Sequence, residues 1–470
     1  MTDAQHPAEP KPKMDLPRTD LKVVRRPNLH ADWIDPHAIG IVKALQKAGH
    51  TSYLVGGCVR DLLLGIIPKD YDIATAAHPP QVKRLIHMAF IIGKRFRLVL
   101  VKRGTQQFEV ATFRKEYDPS QFPPEEYPDG PPSADNVFGT PEEDALRRDF
   151  TINALFYDPV SFELIDYVGG RADIEARTLK MIGTPDVRLT EDPIRILRAL
   201  RFAHKLCFAI EPSLRESMGR HANLLQKAVL PRRREELLKL LRLKDPMAVL
   251  VECHDLGILR EVFPTLERMF ETPERQHIFL TLLESLRHSV LDDADTGQVF
   301  SWLLATVVET LAEEELSLSD DEMNAIMRDE LGMYKFEQSL VLDALKMRRV
   351  FENTHEHRRK GERRQSGIVR REGFQQALRL AIADYRVAAA DVQFWQDLFE
   401  RVRPELEAAR RERNQRRSEK PRRRRNGPNT GGENNADSGD ENTVENMSEN
   451  TGDIAVSDDK SSSEPSQTET

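Results

Sequence analysis

Residues 54–75, LVGGCVRDLLLGIIPKDYDIAT, constrain the fold more than any other stretch, because their hydrophobic period changes repeatedly within 22 positions. Ser52-Tyr53-Leu54-Val55 reads as a short buried strand, and Gly56-Gly57 ends it with a turn that keeps side chains away from a bulky anion. Helical spacing from Cys58 to Leu64 follows. The turn therefore aims the free N–H groups of a helix start at whatever lies above them, with Arg60 as an added charged fork, and a phosphate suits both. Past residues 65–68, Asp70-Tyr71-Asp72-Ile73 alternates as a half-buried strand does, which puts both Asp on one face with α-carbons about 6–7 Å apart. Such a pair suits two Mg²⁺ ions about 3.5–4 Å apart, the spacing of two-metal phosphoryl transfer.

Taken in this order, GGCVRD, LLLG and KDYDIAT resemble the class II nucleotidyltransferases of the DNA polymerase β superfamily, which comprise tRNA CCA-adding enzymes and bacterial poly(A) polymerases. The resemblance implies an α+β chain. A nucleotidyltransferase head with a small mixed β-sheet and helices is expected at 36–170, a helical neck that recognises the nucleotide base at 171–235, and a helical RNA-binding body at 236–404. Residues 1–35 and 405–470 are expected to be disordered, the latter basic and then acidic. Asp70 and Asp72 are implied as catalytic metal ligands, and Gly56, Gly57 and Arg60 as the triphosphate cradle.

The third carboxylate has two candidates. Residues 108–113 read as a strand of a hairpin turning near Gly104, with Glu109 on the face opposite Phe108 and Val110. Residues 142–155, EEDALRRDFTINAL, resemble the family motif RRDFTINA on a helix capped by Thr140, where Arg147 and Arg148 meet phosphates and Asp149 is the remaining acidic position. Between the two, Asp149 is favoured. A further helix is expected over 190–202 with Thr190 as N-cap, similar to the family's EDxxR motif, and Arg198 on it is a further nucleotide-binding candidate. Three positions apart, Asp192 and Arg195 share a helix face and can offer an acceptor beside a donor in place of a template base. Adenine and cytosine both match that edge, whereas guanine and uracil reverse it, a mismatch able to cost about 10⁴–10⁵ in discrimination.

Charge points to a polyanionic partner. The formal net charge of −8 hides eleven Asp and Glu against one Lys beyond residue 425, so the preceding residues carry about +2. Residues 410–425 alone hold ten Arg or Lys against two Glu. Arg232, Arg233 and Arg234, with Arg422, Arg423, Arg424 and Arg425, are the expected RNA contacts. The Pro-rich run at 115–137 reads as a loop without catalytic residues, and His254-Asp255 and His355-Glu356-His357 lack metal-ligand spacing. Three Cys in apolar contexts read as buried reduced thiols, and no apolar run approaches a membrane span, so a cytoplasmic monomer is expected.

The fuller match, from LLLGIIPKDYDIAT through IGKRFRLVLV, FEVATFR, NVFGTPEEDALRRDFTINALFYDP and IDYVGG, resembles bacterial poly(A) polymerases over residues ~35–270. It implies template-independent addition of AMP from ATP, with two Mg²⁺ ions, to single-stranded RNA 3′ ends, marking RNA for decay, with RNA-decay proteins as candidate partners. CCA addition to tRNA is the alternative, and a non-catalytic RNA-binding protein the second.

Overall fold

The computed structural model describes residues 22–25, 27, 29–93, 98–116, 137–290, 294–384 and 387–419. Most of the Pro-rich run at 115–137 lies outside the described residues, as do Arg422, Arg423, Arg424 and Arg425. Eight strands form one sheet: β1 (Lys22–Arg25), β2 (Ser52–Val55), β3 (Asp72–Thr75), β4 (Ala89–Ile92), β5 (Leu98–Arg103), β6 (Gln106–Thr112), β7 (Leu155–Asp158) and β8 (Glu163–Asp166). Their order is β1-β8-β7-β2-β3-β6-β5-β4. Within this sheet, among the described residues, only β3 and β6 run parallel, and that pairing sets Asp72 opposite Glu109.

The central strands alternate between two cores, as period-2 geometry requires. Leu54, Ile73, Val110 and Leu155 enter the large core, which also takes Ala38, Ile41, Val42 and Leu45 from α1 (Pro36–Lys47). Val55, Ala74 and Phe156 enter a smaller one with Phe113, Ala145 and Ile182. Asp72 shares the face of Ala74 and therefore borders the smaller core. Asp35 starts α1 by accepting from the His37 N–H at 2.7 Å, and Pro36 fits the first helical position.

Several local expectations are corrected. Lys22–Arg25 fell in the N-terminal stretch expected to be disordered, yet it pairs with β8, its two adjacent valines completing an open sheet edge. The helix expected over 142–155 is only α4 (Pro141–Leu146), held by a capping box between Thr140 and Glu143. Beyond it, Asp149 takes a local partner instead, accepting from the Phe150 N–H, and Thr151 is held by a tertiary bond that it donates to Asp173. Thr190 is not an N-cap. It sits inside α6 (Pro185–Glu191) and donates to the Asp186 carbonyl, because Pro193 forces Asp192 into extended backbone and α7 (Ile194–Leu206) starts only after it. Cys58 and Cys253 are buried, but Cys207 is exposed as the left-handed cap that ends α7.

Helix Leu230–Leu241 packs on α7, and beyond it helices Pro273–Arg287, Thr296–Ala312 and Lys335–Glu352 extend the large core. Residues up to Ala408 form one compact unit. Residues 405–419, expected to be disordered, are instead the end of the helix Ala389–Glu419. No helix among the described residues is long and apolar enough to cross a membrane.

One glycine ties the sheet to the arginine motif. Helix α5 is Gly170–Glu175, and a Cβ on Gly170 would meet the Thr151 carbonyl oxygen at 2.1 Å, inside the 3₁₀ turn Thr151–Asn153. Backbone cannot yield as a side chain can. Gly170→Ala is therefore expected to lower stability by about 1–3 kcal/mol, while Gly40→Ala in the open middle of α1 raises it by up to ~1 kcal/mol. Urea unfolding followed by circular dichroism reads both.

Candidate active site

A cleft of about 750 Å³ opens beside β3 and β6. Its wall brings together Gly56, Gly57, Arg60, Asp72, Glu109, Arg148, Asp149, Asp192, Arg195, Arg198 and Arg232, so most of the site candidates converge there. Asp70 lies just before β3, in a second cleft that shares Asp72 and Glu109 with the first. Arg114, Asp144, Arg147, Asn153 and Phe202 also line the arginine-rich cleft. Of these, Asn153 and Phe202 are short-range members of the recognised motifs, whereas Arg114 and Asp144 meet only through tertiary folding.

Gly56 has φ 73° and ψ −128°, a conformation that a side chain strains to adopt, and a Cβ there would sit 3.0 Å from Arg148 Nη1. The turn therefore lets Arg148 approach the backbone. Arg60 is not a loose fork: it is buried, donates to Asn153 Oδ1 at 2.6 Å and to Asp61, and lies 5.3 Å from the Phe202 ring. It braces the cleft wall.

Arg147, Arg148, Arg195, Arg198 and Arg232 each have an anion behind them. Asp144 accepts from Arg147 Nε at 3.2 Å and from Arg148 Nε and Nη2 at 3.1 and 2.9 Å. Burial alone would raise the Asp144 carboxyl, but Arg148 and Arg147 hold it below the usual carboxylate range. Asp149 is likewise buried, and Arg198, donating from Nε and Nη2 at 2.8 and 2.5 Å, outweighs that burial and keeps it low. Arg195 donates to Glu191 at 3.1 Å and to the Arg188 carbonyl, while Asp192 accepts a two-pronged pair from Arg232 at 3.0 and 2.8 Å. Asp192 and Arg195 thus line one cleft, but Asp192 lies between two helices and is paired elsewhere, so they are neither on one helix face nor an ion pair with each other. Arg234 is turned inward onto Glu337 at 2.5 Å and Tyr334, away from any surface groove. Arg233 is on the same helix, Leu230–Leu241, with a buried Nε.

The carboxylates differ in kind. Asp149 is engaged by Arg198, Asn153 and the Phe150 N–H, whereas Asp72 faces Glu109 across the parallel pair. The cleft wall partly desolvates Asp72, and Glu109 and Asp70 repel its charge, so despite relief from Arg148 its carboxyl is pushed up to about 6. That crowding calls for a cation. Among the described residues no three His, Cys, Asp or Glu side chains grip an ion unaided. The oxygen-only set still fits Mg²⁺, which is commonly held by one or two carboxylates together with substrate phosphates.

The depressed acids make an acid-side test. Asp149 gains stability from its lowered pKa above the unfolded value of about 3.9, and that gain is lost as pH falls through the folded pKa. Asp149→Asn keeps the shape but leaves Arg198 without its anion, so a loss of about 3 kcal/mol is expected at pH 7. The difference from the parent should shrink below pH ~4; urea midpoints across pH measure it.

Residues 52–180 match the family profile described as the poly A polymerase head domain, and residues 207–270 the one described as a probable RNA and SrmB-binding site of polymerase A. The chain is 42% identical over 240 residues to Poly(A) polymerase I of Salmonella typhimurium, covering 50% of this chain and 52% of that protein. It is 34% identical over 332 residues to the CCA-adding enzyme of Bacillus pumilus, covering 67% of this chain and 79% of that protein. The chain thus spans about half the length of the poly(A) polymerase and about four fifths of the CCA-adding enzyme. The crystal structure of the Bacillus stearothermophilus CCA-adding enzyme in complex with CTP shares the fold with a TM-score of 0.59 at 23% identity, over 79% of this chain and 83% of that one. Head profile, fold and long-range identity agree, and the chain belongs to the family of nucleotidyltransferases that contains the poly(A) polymerases and CCA-adding enzymes.

Proposed function

We propose that the protein adds AMP from ATP to the 3′ ends of single-stranded RNA without a template. The observation that carries this reading is one cleft in which Asp72 and Glu109, in register on parallel strands, face seven arginines. A triphosphate needs the arginines, and transfer needs carboxylates at the attacked phosphorus. The identity of 42% over 240 residues to a poly(A) polymerase, against 40% over 205 residues to a CCA-adding enzyme, supports ATP over CCA addition by a narrow margin.

Asp70, Asp72 and Glu109 would hold Mg²⁺, which when bound lowers the cost of forming the 3′-alkoxide and of charge on departing pyrophosphate. Glu109 takes the role expected of Asp149, whose charge serves Arg198. Arg147 and Arg148, fixed by Asp144, bind the triphosphate and keep it oriented. The 3′-hydroxyl gives up its proton to solvent as its oxygen bonds to the α-phosphorus, the bond to the oxygen bridging the α- and β-phosphates breaks, and pyrophosphate leaves with its charge met by guanidinium groups. Asp192 and Arg195 read the base edge by exchanging Arg232 and Glu191 for it.

Each nucleotide offered separately with a generic RNA, and with a tRNA lacking its 3′ end, tests the reading. Long tails from ATP alone are expected, and a stop after C-C-A on tRNA would reverse it. Asp70→Ala, Asp72→Ala and Glu109→Gln should each cut transfer by about 10²–10³-fold or more at unchanged circular dichroism. Parental rates in Glu109→Gln would return the third position to Asp149. Arg195→Ala should raise use of GTP and UTP relative to ATP, seen as a changed ratio of kcat/KM values.

A further inference from the structure

We infer that the second cleft, bordered by Trp33, Ile67 and Lys69, seats the 3′-terminal nucleotide of the acceptor strand, with Trp33 as the surface on which its base stacks. The inference rests on the transfer reading above. Two clefts, of about 790 and 750 Å³, meet at Asp72 and Glu109, the residues common to both. Their chemistry is unequal. One carries seven arginines and the Gly56-Gly57 turn, while the other has no arginine and offers Trp33, Ile67 and Leu100 with a single lysine, Lys69, and with Asp35 and Asp70 beside the two shared carboxylates.

In-line displacement requires the attacking hydroxyl and the leaving pyrophosphate on opposite sides of the α-phosphorus. With the β- and γ-phosphates among the arginines, the hydroxyl arrives from the far side of the carboxylates, where the second cleft lies. A strand end brings one flat base and one phosphate per nucleotide, which a ring and a lysine match better than an arginine cluster does. Trp33 is 37% exposed and Ile67 66%. One face of the indole is stacked on His30, with centroids 4.1 Å apart and planes 10° from parallel. The Tyr71 hydroxyl donates to the Trp33 carbonyl, so the residue between the two aspartates holds the ring's backbone at a set place beside them. Trp33 precedes residues 52–180, the segment that matches the head profile.

The test separates acceptor from nucleotide. In the full chain, Trp33→Ala should raise the KM for an oligo(A) RNA about tenfold and leave the KM for ATP and the kcat at saturating RNA near parental, while Trp33→Phe restores most of the loss. Irradiating the parent with RNA carrying a 3′-terminal 4-thiouridine should label peptides holding residues 30–35 or 66–71, and this needs no variant to fold. Label confined to residues 144–153 or 192–202, an unchanged RNA KM in folded Trp33→Ala, or a rise in the ATP KM instead would each overturn the assignment. A parent that extends no RNA with any nucleoside triphosphate overturns the transfer reading itself, and is told apart by that result.

Discussion

Guanidinium groups crowded into one cleft repel one another, and the site depends on how that repulsion is met from behind. Asp144 sits beneath Arg147 and Arg148, Asp149 beneath Arg198, and Glu236 bonds Arg201 at 2.7 Å while lying 3.9 Å from Arg198. Aromatic faces add to this: Arg60, Arg198 and Arg201 all lie over the Phe202 ring, at 5.3, 5.5 and 4.2 Å. The buried acids are stable as anions only because the arginines are there, and the arginines are aimed only because the acids are there. Removing either partner strands a charge, which costs far more than the pair contributes.

The same coupling explains why Asp149 and Glu109 are chemically different although both border one cleft. An acid that accepts from Arg198 and from the Phe150 N–H has its lone pairs engaged and its charge answered. Asp72 is in the opposite situation, raised first by desolvation and then by the neighbouring Glu109 and Asp70, with Arg148 as the relieving charge. A hard divalent cation is drawn to the group whose anionic form is least stabilised by protein.

What was legible in the sequence was local. The strand at 52–55, the Gly-Gly turn and the Thr140 cap depend on near neighbours, and they appear where the spacing puts them, whereas the alternating strand expected over 70–73 starts only at Asp72 and is buried at each of its next three positions. The parallel pairing of β3 with β6 brings residues 37 positions apart into register, and no local pattern encodes it, so the sequence held no geometric ground for weighing Glu109 against Asp149. Thr190 failed for a different reason: threonine before two acids and a proline reads as a cap, but Pro193 also breaks a helix already under way. Arg234 failed because a basic run looks solvent-facing in sequence, whereas a helix turns alternate members inward, here onto Glu337.

The head, neck and body expected as separate domains share one core. It runs from Ile34 and Leu54 through Leu197 and Leu200 of α7 to Val299, Val341 and Leu380; besides the smaller core on the other face of the sheet, the stretch around Phe351, Phe374 and Trp395 has a core of its own. Arg198 and Asp149 cross the expected head–neck boundary with a half-buried ion pair, and Arg201 with Glu236 crosses the next. Asp192 and Arg195 at the α6–α7 junction and the carboxylates on β3 and β6 are therefore held by the same close-packed interior, which deforms little. Selectivity in such a site comes from a wrong base failing to satisfy groups that cannot move to meet it, because an unpaired buried donor or acceptor is the costly outcome.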